Sequence, residues 1–295
     1  MFENSLPSDV ISSDAPASSV SVASLARSEG RVEIRMKIRD GQSRLSHLFQ
    51  RGCGRVRFPS IDRSAFPEAV LINTAGGLTG GDMMSYDIEL EPATKLTLSG
   101  QAAEKIYRSV GTVAKISSEI RLSENSFLEW LPQETILFEK SRLKRLNSVH
   151  LLPESRLLAV EATVFGRKAH GEDLTDIQIQ DGWKIWRDGK LLWVDNFKVT
   201  EDFQTILQSP ALLNNARAMA TFLIADEMAE KYADLVRDIS APADVRVGTT
   251  SRDGLLITRI LAKDGYSLRK TVVAILQTVR SELAGEDVPL PKVWE

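Results

Sequence analysis

The chain has 295 residues, 43% of them hydrophobic, with a formal net charge of −3, which supplies apolar material for one large packed domain and gives no basic footprint for nucleic acid. A single cysteine, Cys53, excludes an internal disulfide framework and a Cys-rich zinc site. No apolar run approaches the roughly 20 residues that a membrane-spanning helix needs.

Residues 1–28 hold nine serines together with Pro7 and Pro16. Glu3, Asp9 and Asp14 stand there with no basic residue through position 26. That composition lacks the positive start of a signal peptide and the arginines of a transit peptide. It predicts a disordered lead over residues 1–28 ahead of a folded domain over 29–295.

Folded structure is expected to begin near Arg31. Val32, Ile34, Met36 and Ile38 alternate with charged residues, the period-2 pattern of a strand with one buried face. The run Glu68 to Ile72 predicts a more buried strand. Then comes Asn73-Thr74-Ala75-Gly76-Gly77-Leu78-Thr79-Gly80-Gly81-Asp82. Its four glycines suggest a phosphate loop, but such a loop needs Lys and Ser/Thr after the last glycine, and Asp82 stands there instead. No helical pattern follows it, so a dinucleotide fingerprint fits poorly. Either the segment is a tight turn using positive-φ glycines, or the glycines bring backbone close to a partner and present Asp82.

Period 2 recurs at Tyr86, Ile88 and Leu90, at Thr94, Leu96 and Leu98, and at Ala114, Ile116, Ile120 and Leu122. Pro132 separates two apolar runs in Leu128 to Phe138, which reads as strand, turn and strand with Trp130 in the core. Leu157 to Phe165 and Leu191 to Val194 read as buried strands, and Ile177 with Ile179 as another. Glu91-Pro92, Leu152-Pro153, Asp181-Gly182 and Asp188-Gly189 are read as turns, the last as a two-residue hairpin. Trp183, Trp186 and Trp193 lie close in sequence, and any one left exposed would suit a protein interface. His47 and His150 are ungrouped. After Phe165, Gly166-Arg167-Lys168-Ala169-His170-Gly171-Glu172-Asp173 offers imidazole and carboxylates that nickel accepts, at no known metal spacing.

Helical periodicity comes late, at Met228, Tyr232, Leu235, Val236 and Ile239, and again at Leu268, Val272, Ile275, Leu276, Val279 and Leu283 with Gly285 as the stop. The expected fold is therefore mainly β, one large antiparallel or mixed β-structure with about two helices. No Gly-x-Ser-x-Gly elbow is present, and no acid–base pair stands out among 40 Asp and Glu.

Taken together and in this order, four segments resemble the UreD (UreH) family of urease accessory proteins. They are Asn73–Asp82; Gln101-Ala102-Ala103-Glu104-Lys105-Ile106-Tyr107-Arg108-Ser109; Leu131-Pro132-Gln133-Glu134-Thr135-Ile136; and Gly166–Glu172. The resemblance spans roughly residues 30 to 290. The chain departs from the family pattern at Ser99 and Gly100, where threonines are frequent, and in its Ser-rich lead. The resemblance implies a β-helical or stacked-sheet fold and a non-enzymatic, cytoplasmic role. Its implied partners are apo-urease and a helical UreF-type protein that recruits a UreG-type GTPase, with no nucleic acid or membrane. Nickel is implied as cargo in transit, with no nucleotide bound by this chain.

On that basis Asp82, Glu104, Glu161, Glu172 and His170 are candidate ligands of a transient nickel path. Gly76, Gly77, Gly80, Gly81, Tyr107, Pro132, Gly166, Arg167 and Gly171 are candidate partner-facing or structural motif positions. Structural roles compete: Glu104 could be ion-paired with Lys105, and Glu172 could fix its turn. Two other readings stand beside the nickel path. One is a binding subunit that reshapes urease without touching metal. The other is a β-helical carbohydrate-active enzyme, which would need a cleft with paired carboxylates.

Overall fold

A computed structural model describes residues 26–59, 67–168, 171–239, 241–285 and 289–295. The expected disordered lead thus lies, up to residue 25, outside the described residues. The first described strand opens at Glu29.

Strands from successive stretches of chain stack as coils, each coil placing one strand in each of two facing sheets. The first sheet runs in the order β14 (Lys190–Val199), β13 (Gln178–Arg187), β11 (Arg142–Leu151), β8 (Ala114–Leu122), β5 (Met83–Leu90), β1 (Glu29–Arg39), β2 (Gln42–Gly52). The path of the second runs β16 (Val245–Arg252), β17 (Leu255–Ala262), β15 (Ala218–Ala225), β12 (Arg156–Phe165), β9 (Phe127–Leu131), β6 (Lys95–Gly100), β4 (Glu68–Asn73), β3 (Gly54–Arg57). Two short strands, β7 (Glu104–Ile106) and β10 (Thr135–Leu137), extend β12 sideways as a third face.

The middle of each sheet is parallel: β1–β5–β8–β11–β13 in one, and β4–β6–β9–β12 in the other. Parallel neighbours need a crossover, and here the crossover is a strand of the opposite sheet, not a helix. The chain therefore shows no strand–helix alternation although many pairs are parallel. Antiparallel hairpins close the ends, among them β13–β14 around Asp188 and Gly189, both at positive φ.

The second sheet is covered on both faces. Its inner face meets the first sheet. Its outer face packs against α3 (Gly265–Ala284), which buries Leu268, Val272, Ile275, Leu276, Val279 and Leu283. Each such side chain stabilises by about 1.5–3 kcal/mol when fully buried. The side chain of Asp264 caps the helix by accepting from the Ser267 amide at 2.8 Å, and Gly285 ends it in the left-handed conformation. The Gly285 stop agrees with the sequence signal, and the Asp264 cap is supplied by the structure.

Two expectations are corrected, one at Asp181-Gly182 and one at Leu191 to Val194, which is a strand but not a buried one: Leu191 and Val194 of the edge strand β14 are exposed. Asp181-Gly182 is not a turn but lies inside β13, paired in register with Arg145 and Leu146 of β11. Gly182 sits there because a Cβ would come within 2.9 Å of the Asp195 carbonyl oxygen. The expected helices, about two, are present, and a third short one joins them among the described residues. The periodicity from Met228 to Ile239 is split into a 3-10 turn, Ala229–Tyr232, and the five-residue α2, Ala233–Arg237. The additional α1, Phe203–Gln208, is too short to show a periodic face and is started by its Asp202 cap.

Candidate functional site

The inward positions of the first sheet are apolar at both ends and polar in the middle. One row across it reads Ile34, Ile88, Ile120, Val149 and Ile185. The next two contain Tyr86, Ser118 and Asn147, then Arg145 and Asp181. From the opposite sheet β12 contributes Glu161 and Thr163 at the same level. This polar belt divides the sandwich interior into two apolar clusters, one around Leu98 and Trp130 and one around Leu78, Ile106 and Leu143. Buried polar groups in such a place must be hydrogen-bonded or serve a purpose.

Arg145 is the centre of the belt, 4% exposed. Its Nε and Nη2 donate to the two oxygens of Asp181 at 2.9 and 2.6 Å, and its Nη1 lies 2.6 Å from Glu161 Oε2. Nη1 and Nη2 also donate to Thr135 Oγ1 and Thr163 Oγ1. Burial pulls the Arg145 pKa down, but Asp181 and Glu161 outweigh it and hold the guanidinium firmly charged. Glu161 Oε1 accepts from Trp130 Nε1 at 3.0 Å and from Asn147 Nδ2 at 3.3 Å. Burial raises its pKa against the pull of Arg145.

Beside this cluster lies a cavity of about 430 Å³. Glu161, Arg145 and Thr135 form its floor, Tyr86 and Trp130 one wall, and Glu104 another. Gly76, Gly77, Ala102, Ala103, Pro132 and Gln133 also line it. Among the described residues no cation contacts Glu104: both its carboxylate oxygens accept from Asn73 Nδ2, at 3.0 and 3.1 Å. Burial drives its pKa up to about 7, against the Asn73 bond, a backbone bond and the field of Arg145. Glu104 therefore stands between protonated and ionised at neutral pH. Ser118 Oγ and Gln133 Nε2, both at the cavity, have no hydrogen-bond partner among the described residues.

The glycine segment is the connection between β4 and β5 and forms part of the cavity wall. A Cβ on Gly77, at φ +148°, would strike the Tyr107 ring and come within 2.7 Å of the Lys105 carbonyl oxygen. Close approach to β7 thus requires glycine there, and the Tyr107 hydroxyl donates to the Gly76 carbonyl oxygen at 3.1 Å. Leu78, fully buried, bridges to Ile106. Asp82 ends the segment facing away from the cavity lining. Its two oxygens accept from the amides of Ser28 and Thr79, both at 2.8 Å, and so tie the turn to the start of β1.

A family model described as "UreD urease accessory protein" matches residues 28–295. The chain is 38% identical over 268 residues to the urease accessory protein UreD of Rhizobium leguminosarum bv. trifolii (strain WSM2304), covering 91% of this chain and 95% of the relative. It is likewise 38% identical over 275 residues to the urease accessory protein UreD 1 of Brucella abortus biovar 1 (strain 9-941), covering 92% and 95%. The chain belongs to the UreD family of urease accessory proteins.

Within this UreD chain the candidate ligands separate. Glu104 and Glu161 face one cavity. Asp82 is bound into the glycine turn. Glu172 fixes the loop after β12: it accepts from the Arg167 amide at 3.1 Å, from the Arg167 guanidinium and from the Glu139 amide at 3.2 Å. Burial opposes ionisation of Glu172, but those donors outweigh it and lower its pKa. Its expected turn-fixing role is thus visible in its contacts, as are the positive φ angles of Gly166 and Gly171 in the same loop. His170 lies outside the described residues. Among the described residues no group of three or more His, Cys, Asp or Glu could hold a metal ion. His150 is instead stacked on Trp186 at 4.5 Å and paired with Glu119 at 2.8 Å, and His47 lies 3.3 Å from Glu33. Trp183 is buried in the core, while Trp186 and Trp193 are half-buried.

Arg145, Asp181 and Tyr86 escaped the sequence reading as site residues. Their signal was a charged or polar side chain on the inward phase of a period-2 strand. At Asp181 the adjoining glycine masked that signal by imitating a turn.

Proposed function

We propose that this chain acts as the non-enzymatic UreD subunit of a urease activation assembly. In this reading it docks on apo-urease and on a helical UreF-type protein that recruits a UreG-type GTPase, and it assists nickel insertion in the cytoplasm. Its belt cavity gives the ion passage. The observation carrying this is that Glu104 and Glu161 both line one cavity inside the sandwich. Oxygen donors that are few and weak suit transit, because a site that coordinates tightly would not release its ion. Glu161 is largely neutralised by Arg145. Glu104, whose pKa burial raises to about 7, can trade a proton for a passing cation.

A second reading, that the subunit reshapes urease without touching nickel, is favoured by the tying of Asp82 and Glu172 into their own turns. Substituting Asp82, Glu104, Glu161 and Glu172 singly by Ala separates the two. Nickel content of urease and assembly of the complex are measured independently. Passage through the belt predicts a several-fold loss of nickel in the Glu104 and Glu161 variants with assembly retained. Normal nickel in all four removes the conduit.

A further inference from the structure

The small sheet β7–β10–β12 has a second side. Its inward face turns Glu104 and Thr135 to the belt cavity, and its outward face carries Lys105, Ile136 and Val164, one row in register. That row is the floor of a separate cavity of about 570 Å³, bounded by Tyr107 and Phe138 and by the Gly166-Arg167-Lys168 loop. The two rings meet edge to face at 5.0 Å, and the Arg167 guanidinium lies 4.0 Å over Phe138. Ile136, Val164 and these rings give the pocket an apolar side next to the Lys105 cation.

The rim is basic. Arg167, Arg217 and Lys263 are each matched by an acid outside the floor: Glu172 at 3.1 Å, Asp173 at 3.6 Å and Asp244 at 2.9 Å. Lys105 and Lys168 are exposed, and their side-chain ammonium groups have no ion pair or hydrogen bond among the described residues. The row from Lys105 to Val164 crosses three strands at about 4.8 Å per step, so roughly 10 Å of apolar floor adjoins Lys105. A compact polyanion such as a nucleotide phosphate fits this badly. Most of the rim charge is already neutralised, so no dense cluster of free cations is left to hold a compact polyanion. Carboxylates spaced along a chain, with an apolar side chain between them, fit the separated lysines and the floor.

We propose that this outer pocket receives an acidic, apolar-anchored segment of urease. The inference rests on the reading above, in which urease is the bound partner. It assigns that contact to the side of the β7–β10–β12 sheet opposite the belt cavity. Cargo path and docking site then share three strands, and Lys105 is the immediate neighbour of Glu104.

The test is a Lys105→Glu/Lys168→Glu full-length variant, with Lys168→Glu alone as the variant least able to disturb folding. Binding to purified apo-urease and to the purified helical accessory protein is measured by biolayer interferometry at low and moderate salt. The expected result is at least a tenfold weaker affinity of the double variant for urease with a flattened salt dependence. The single variant should lose several-fold, and affinity for the helical protein should stay within twofold. Urease affinity within twofold of wild type in both variants overturns the proposal. So does a loss confined to the helical protein, which would make that protein the occupant. If the wild-type chain itself fails to bind urease, the functional reading falls and the pocket assignment falls with it.

Discussion

Arg145 and Arg280 are both sealed from solvent, at 4% and 2% exposure, and each lies against a buried glutamate. Arg280 comes from α3, and its Nε and Nη2 grip both oxygens of Glu129 on β9 at 2.7 and 2.6 Å. Thr97 Oγ1 donates to the same carboxylate at 2.6 Å, and Arg280 Nη1 donates to the Pro289 carbonyl oxygen. The guanidinium grips one carboxylate with two donors, and Glu68 lies near enough to feel its charge. The arrangement fastens α3 to the outer face of the second sheet. Arg145 meets two anions, Asp181 and Glu161, beside a cavity with a third carboxyl, Glu104, and with unpartnered polar atoms at its wall. Buried ion pairs are costly in either place, because desolvation offsets most of the Coulomb gain. The matched pair has a structural use that explains it. The belt cluster has an excess of acid facing space, and a fold selected for stability alone would fill that position with apolar side chains.

The sharpest way to break this contrast is to remove charges singly and in sets. Arg280→Ala and Arg145→Ala should each cost about 3–5 kcal/mol, read by urea denaturation, since each strands a buried carboxylate. The compensated replacements should then diverge. Arg280→Met with Glu129→Leu should recover most of the stability and leave nickel delivery intact. Arg145→Met with Glu161→Leu and Asp181→Leu should recover stability but lose nickel delivery. If the second set delivers nickel normally, the belt is merely another clamp.

The next effect concerns pH. Folding raises the Glu104 pKa from its ordinary 4.5 to about 7. Its contribution to stability is therefore fully present below about pH 4.5 and is lost as pH rises through 7. The shift corresponds to on the order of 3 kcal/mol across that window. Glu104→Gln should remove that slope from a pH series of denaturation curves. An unchanged slope would mean that Glu104 is better solvated than its surroundings imply.

The smallest effect tests the glycine wall. Gly77→Ala should cost roughly 1–3 kcal/mol through collision with Tyr107 and the Lys105 carbonyl. Gly76→Ala, whose Cβ would meet nothing within 4 Å, should cost only the strain of its positive φ, seen as a smaller fall in thermal midpoint.

The strands were legible where one face is buried. β1, β5 and β8 follow from the alternation of their own residues, β12, buried on both faces, from its apolar run, and α3 from its period and its Gly285 stop. The glycine motif with Gln101–Ser109 carried the family. α1 left too few residues for a period to register, and Asp181-Gly182 gave a turn signal because glycine tolerated by a neighbouring carbonyl looks the same in sequence as glycine demanded by a turn.

What the sequence by itself determined is a β-rich UreD chain closed by a long helix, since patterning and caps are local properties. Which carboxylates meet was decided only by tertiary structure. Period 2 says that Glu161 and Asp181 point inward but not at what level. That depends on the register between stacked coils, which sets Arg145 opposite Asp181 and leaves Asp82 fastened in its turn. Register is fixed by the packing of all coils together, because a one-residue slip would turn every apolar side chain of a strand to the wrong face.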